Sequence, residues 1–224
     1  MKDTIALLKN VPIFTGIDEQ ELTSMLGCLD AKRETFPKGE YLFHEGDRAE
    51  AVGLLLSGSV LVIQEDFWGN RNLMTRIGPG QIFAEAFACS PGAVLNVSVV
   101  ADEPCDVMWL NVRRILTTCP SACAHHTRMI RNLLSDLAGK NLRFNEKLTH
   151  MGQRTTRKKL LSYLSAEAQR QGSSAFEIPF SRQQLADYLS VERSAMSAEL
   201  CRLRDDGVLR FDRNHFVLSE IQEI

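Results

Sequence analysis

Residues Phe180–Leu209 read FSRQQLADYLSVERSAMSAELCRLRDDGVL, and the spacing of the apolar side chains within them decides the fold of the C-terminal part. Leu185, Ala186 and Leu189 share one face of a first helix, Val191 falls in a tight connection, and Met196, Leu200 and Leu203 share one face of a second. Together they make the small core of a helix-turn-helix. Ala186 is small where the second helix crosses close, and Ser181 is a good N-cap for the first. The remaining face of the second helix offers Arg193, Ser194, Ser197 and Arg204. The first turn of such a helix enters the major groove, where Arg makes a bidentate contact to guanine and Ser bonds to several base edges. Ser181, Arg182 and Gln183 at the start of the preceding helix sit where phosphate contacts are expected. Arg204 belongs with them, as do Arg210 and Arg213 on a β wing that also carries His215. The bland alternative is a helical hairpin with a solvated charged face, but helix, turn, helix and wing follow here in one continuous block.

Working outward, Thr155–Gln171 form a helix with Leu160, Leu161 and Leu164 on one face, ended by Gly172-Ser173-Ser174. Phe176, Ile178 and Phe180 alternate as a short strand. Upstream, Ser121–Met151 carries apolar residues at steps of four and three: Ile130, Leu134, Leu137, Asn141, Phe144, Leu148 and Met151. Arg128, Arg131, Lys140, Arg143 and Lys147 fall outside that seam. This is a coiled-coil register. A helix of about 30 residues is roughly 45 Å long, too long for a domain of this size to cover, so its seam is expected to meet its own copy in a homodimer. The competing reading is a long core helix packed within one chain. Asn141 on the seam costs stability but can fix register, or it can face a ligand.

From Ala31 to Asn111 the pattern turns to short β-type segments punctuated by glycine, among them Glu40–His44, Val52–Leu56, Ser59–Gln64, Asn72–Ile77, Val94–Ala101 and Asp106–Leu110. They suit an antiparallel barrel or double-sheet roll, which encloses an interior. Before them, Met1–Asp30 reads as small helices, one capped by Asp18 and carrying Leu22, Met25, Leu26 and Leu29, that brace the roll. Charge divides unevenly: residues 1–151 carry 15 basic and 18 acidic side chains, and residues 152–224 carry 11 and 10. The mildly basic tail permits nucleic-acid binding. No apolar run approaches the roughly 20 residues of a membrane helix, and Met1–Asn10 lacks a signal-peptide core, so a cytoplasmic protein without a membrane partner is expected. The six cysteines form no C-x-x-C pair and read as reduced thiols. Cys119 and Cys123, with His125 and His126 beside them, make a metal- or redox-sensing regulator of the same fold the second hypothesis. A third, a cupin-like enzyme, lacks a closely spaced histidine pair with a carboxylate: His44 stands alone.

The order of β-roll, long helix and winged helix-turn-helix resembles the cyclic-AMP receptor protein and fumarate-nitrate regulator (Crp/Fnr) family of bacterial transcription factors, over nearly the whole chain. The motifs that carry the resemblance are SRQQLADYLSVERSAMS, Gly46-Asp47, and Leu54-Leu55-Leu56-Ser57-Gly58-Ser59-Val60. It implies an α+β fold with a cyclic-nucleotide-binding-like jelly roll, arranged as a sensor domain at 1–120, a dimerisation helix at 121–151 and a DNA-binding domain at 152–224. It also implies a palindromic operator on double-stranded DNA, a small-molecule effector, and RNA polymerase as a partner. Arg193, Ser194 and Ser197 fall at the family's base-reading positions, while Ala198 stands where the family usually has Arg, so the operator should differ at one position. The effector pocket departs too. Cyclic-AMP-binding members carry Phe-Gly-Glu and then an Arg-Ser or Arg-Thr pair that neutralises the phosphate; here the matching residues are Phe83-Ala84-Glu85 and Leu95-Asn96-Val97. Without that cation cyclic AMP is disfavoured. An iron-sulfur cluster is disfavoured because Cys28 is the only cysteine before the roll, and His44 reads better as a surface strand residue than as a haem ligand. What remains is a pocket lined by Phe83, Phe87 and Leu95, with Glu85 and Asn96 as polar groups and Asn141 approaching from the long helix, suited to a partly apolar or amine-bearing molecule of unknown identity.

Overall fold

A computed structural model describes residues 7–111, 114–115 and 124–219. The chain forms two compact units, Met1–Asn70 with Met74–Asn141, and Arg71–Leu73 with Leu142–Ile224, so the division falls inside the long helix.

In the first unit a 3₁₀ turn (Pro12–Phe14) leads to helix α1 (Glu19–Cys28). Asp18 and Glu21 close a capping box at its start, each side chain accepting from the other's backbone N–H at 2.9 and 3.0 Å. Strands β1 (Lys32–Phe36), β2 (Tyr41–Phe43), β3 (Ala51–Ser57), β4 (Val60–Glu65), β5 (Arg71–Ile77) and β6 (Ile82–Phe83) follow. Then come the short helix α2 (Glu85–Ala88) and strands β7 (Ser98–Ala101) and β8 (Cys105–Asn111). They form two four-stranded sheets, ordered β1-β8-β3-β6 and β2-β7-β4-β5.

β3 reads as an unbroken apolar run because both its faces are covered. Val52, Leu54 and Leu56, with Met108 and Leu110 of β8, pack against Leu8, Phe14, Leu22 and Met25. Leu55 and Val107 point the other way, into the roll, among Phe36, Val60, Ile77, Phe83 and Val99. Gly53 lets the second face close: a Cβ there would meet the Phe83 ring at 2.1 Å. β1 was not among the expected strands, and the reason is plain: Lys32, Arg33, Glu34 and Thr35 are all exposed, so this edge strand shows no alternation of apolar residues.

Helix α3 (Ala124–Met151) starts within the first unit. Met129 and Leu133 are buried in the same cluster as the N-terminal segment, and Asn132 donates to the carbonyls of Ile13 and Thr15, both at 3.0 Å. Of the expected seam, Leu137 packs against that same cluster, while other positions face solvent. Leu134, Phe144 and Leu148 are 61%, 43% and 66% exposed.

In the second unit helix α4 (Thr156–Gln171) is capped by Thr155 and ended by Gly172 at φ 63°. Strand β9 (Ala175–Glu177), helices α5 (Arg182–Leu189) and α6 (Arg193–Asp205), and strands β10 (Leu209–Asp212) and β11 (His215–Leu218) complete it. The three strands form one sheet, β10-β11-β9. Leu185, Ala186, Leu189, Met196, Leu200 and Leu203 are all buried. This is a winged helix-turn-helix.

Candidate nucleic-acid interface and effector site

Ser181 and Gln184 form a capping box on α5, with Ser181 Oγ accepting from Gln184 N–H at 3.3 Å and Gln184 Oε1 accepting from Ser181 N–H at 2.9 Å. α5 ends with Ser190 in the left-handed region, and the Lys159 ammonium donates to the carbonyls of Leu189 and Ser190 at 3.1 and 3.3 Å. That cation satisfies carbonyls the helix leaves open. Glu192 caps α6, accepting from Ala195 N–H at 2.7 Å. Arg157 on α4 holds α6 through Glu199 at 3.2 Å and Asp206 at 2.8 Å.

On this frame Arg193 and Ser197 lie one turn apart on α6, Arg193 exposed and Ser197 half-buried, and Ser194 and Ala198 form an adjoining exposed row. Ser194 has a second duty: its hydroxyl donates to Glu192, and that bond with the Ala195 N–H keeps the Glu192 carboxyl below its usual range. Among the expected phosphate residues, Ser181, Gln183, Arg204, Arg210 and Arg213 are exposed. Gln183 bonds Asp187 at 2.8 Å, and Arg204 bonds Asp205 at 2.9 Å. Arg213 occupies the wing turn at φ 49°. Arg182 is placed differently. Its guanidinium lies over the rings of Phe211 and Phe216 at 4.8 and 5.1 Å, and Nη1 is buried without a hydrogen-bond partner. It braces the wing by cation–π contact.

Sequence reasoning missed two buried polar groups on α3, Lys147 and His150, and an exposed ion-pair bridge in this unit. Lys147, read as lying outside the seam, is 3% exposed; its ammonium sits 4.9 Å above the Tyr188 ring and donates to the Leu73 carbonyl at 2.6 Å. Burial pushes it down to about 8. His150 Nδ1 bonds Ser162 Oγ at 2.8 Å, with its ring against Tyr163, and burial lowers its pKa. Arg170 joins Glu146 on α3 to Glu167 on α4 at 2.6 and 2.5 Å. The apolar periodicity of α3 carries no mark of these groups, because each is polar on a helix read for its greasy stripe.

In the roll, Leu95 is 1% exposed and packs with Ala49 and Val97 against Phe43, Val62, Met74, Ala84, Phe87 and Ala88. Phe83 belongs to the neighbouring interior cluster, 5.5 Å from Trp109 in an edge-on contact. Ala84 holds a left-handed conformation at φ 63°. The backbone a glycine would suit is kept although the side chain is not glycine's, at a cost of about 1–2 kcal/mol. Glu85 is buried, with Oε1 2.7 Å from the Lys140 ammonium. The structure does not bring Asn96 or Asn141 to this group: both side chains are exposed, Asn96 on the loop before β7 and Asn141 on the helix seam. Asn96 follows a buried leucine in the bend that leads into β7.

Cys119 and Cys123 lie outside the described residues. His125 Nδ1 stands 2.9 Å from Glu21, His126 is buried, and His44 stacks on Tyr41 at 4.5 Å. Among the described residues no three His, Cys, Asp or Glu side chains are grouped to hold a metal, and no helix is long and apolar enough to cross a membrane.

The cyclic nucleotide-binding domain family matches residues 33–119, and the Crp-like helix-turn-helix domain family matches residues 158–223. The chain belongs to the Crp/Fnr family. Its relatives include the "Cyclic AMP receptor protein" of Thermus thermophilus, 26% identical over 211 residues that cover 91% of this chain and 90% of that one. Solved Crp/Fnr structures of like fold include the "c-di-GMP Responsive Global Regulator CLP" of Xanthomonas campestris, with TM-score 0.71, 19% identity, and coverage of 90% and 99% of the two chains. FixK2 of Bradyrhizobium japonicum aligns with TM-score 0.65 and 21% identity over 86% of this chain and 94% of that one. As a Crp/Fnr protein the chain is a DNA-binding transcription regulator with an effector-binding type of roll, and the relatives that match it over most of its length are transcription regulators.

Proposed function

We propose that the chain works as a homodimeric, sequence-specific regulator in the cytoplasm, with RNA polymerase as its downstream partner. Its roll senses a small molecule and passes the signal along α3 to two recognition helices on a palindromic operator. The observation that carries this reading is the exposed apolar seam: Leu134, Phe144 and Leu148 stand in water on one chain, at heptad spacing. Covering them with a second copy recovers about 25 cal/mol for each Å² of apolar surface. Two-fold symmetry then sets the half-sites about 34 Å apart, one turn of duplex.

The effector in this reading is small and partly apolar or amine-bearing, not a cyclic phosphate. Leu95 is buried among apolar side chains, and a phosphate placed there would lack its cation. Sedimentation at micromolar concentration combined with fluorescence anisotropy on the promoter of its own gene tests the whole reading. A dimer that prefers promoter over scrambled duplex at moderate salt is expected. A monomer, or equal binding to both duplexes in protein as purified, contradicts it.

A further inference from the structure

Lys140 stands among three oxygen atoms of the first unit. Its ammonium reaches Glu85 Oε1 at 2.7 Å, Asp136 Oδ2 at 3.0 Å and the Ile82 carbonyl at 2.7 Å. The ammonium donates to the Ile82 carbonyl and forms ion pairs with both carboxylates, while Asp136 Oδ2 is buried without a hydrogen-bond partner among the described residues. The side chains of Glu85, Lys140 and Asp136 are 6%, 16% and 19% exposed, so the cluster is largely closed to water. Two carboxylates face one ammonium, which leaves a negative charge in excess. Glu85 Oε2 is buried without a hydrogen-bond partner among the described residues. An ionised carboxylate in such a place is tolerated only because a cation sits against it.

Glu85 belongs to the roll and is held there by the left-handed Ala84 before it, whereas Lys140 arrives from α3. α3 therefore cannot shift along the roll without stranding a buried carboxylate. From this we infer that Lys140 is a built-in occupant of the roll's acidic site. Its side-chain amine fills the place of an effector's donor group and holds α3 in the DNA-binding arrangement with no small molecule bound. A signal then acts by competing with Lys140 for Glu85, and a primary amine or another strong donor is the chemistry that can do so. The inference rests on the regulator reading above and assigns the resting occupant of its sensor.

Lys140→Ala removes three methylenes and the amine, the outline of n-propylammonium, which makes chemical rescue the test. Full-length protein stripped of bound small molecules, as checked by native mass spectrometry, should bind its operator. Lys140→Ala should bind about tenfold or more weakly with circular dichroism and sedimentation unchanged, the loss of a coupled buried partner. Millimolar n-propylammonium should restore most of that affinity, and matched sodium chloride or 1-propanol should not. Glu85→Gln should also bind weakly and should not respond to the amine. Should Lys140→Ala fold poorly, Lys140→Met keeps the volume and should show the same loss. Wild-type-like binding by either Lys140 variant, a loss in Lys140→Ala that the amine does not repair, or equal repair of Glu85→Gln overturns the inference. Stripped wild type that fails to bind while protein as purified succeeds overturns it too and leaves the regulator reading standing. Only the absence of sequence preference in both preparations defeats that reading itself.

Discussion

The DNA-reading block and the roll interior share a family framework, yet they differ in what has been kept. In α5 and α6 Leu185, Ala186, Leu189, Met196, Leu200 and Leu203 close a core, and Arg193 stands exposed at the first turn of α6. In the roll Ala84 is left-handed, Leu95 is buried in an apolar cluster, and Glu85 is paired with Lys140 from within the chain. The two regions thus differ in what they leave open: one presents cations to solvent, and the other closes its interior on itself. What is read on the outside of a helix depends on its own period. What fills an interior depends on residues far away in sequence.

The contrast breaks most visibly at Leu95. Leu95→Arg should cost about 3–5 kcal/mol in urea unfolding, because it places an unpaired cation in an apolar cluster; a loss below about 1 kcal/mol would mean the interior has polar room there. Leu200→Ala in the recognition unit should cost about 2–5 kcal/mol by leaving a cavity, seen as earlier melting of the C-terminal part. Arg193→Ala should leave melting unchanged and remove about 1–3 kcal/mol of discrimination at one base pair per half-site, read by anisotropy on single-substitution operators.

Two smaller effects sharpen the comparison within the second unit. Burial lowers the His150 pKa, so below the ordinary histidine value the unfolded chain takes up the proton first. Stability is therefore present above about pH 6.5 and falls as pH drops, with a slope of at most about 1.4 kcal/mol per unit. Thermal melts across that range should show the slope in wild type and a flatter profile in His150→Gln. Arg213→Ala on the wing should weaken binding to all duplexes alike and reduce the salt slope by about one.

The helix-turn-helix was readable because its apolar spacing, its Ser181 cap and its exposed cations are local facts of one stretch. The exposed apolar positions Leu134, Phe144 and Leu148 are likewise local facts of one helix. Helix α3, however, carries a second stripe with Met129 and Leu133, and polar groups at Lys147 and His150, all buried, with Lys140 partly buried. A period alone does not tell a solvated lysine from one that fills an acidic site. Asp136, four residues before Lys140, was the one local hint. Arg182 shows the same limit: a cation at a helix start reads as a phosphate contact until Phe211 and Phe216, about thirty residues on, are seen beneath it.

Selection of bound duplexes from a randomised pool by the purified protein tests the central claim most directly. The account predicts one enriched palindrome with half-sites about 10–10.5 base pairs apart centre to centre, and a matching relaxed position in both halves when Arg193→Ala repeats the selection. No enriched sequence, or a single half-site without its inverted copy, would contradict it.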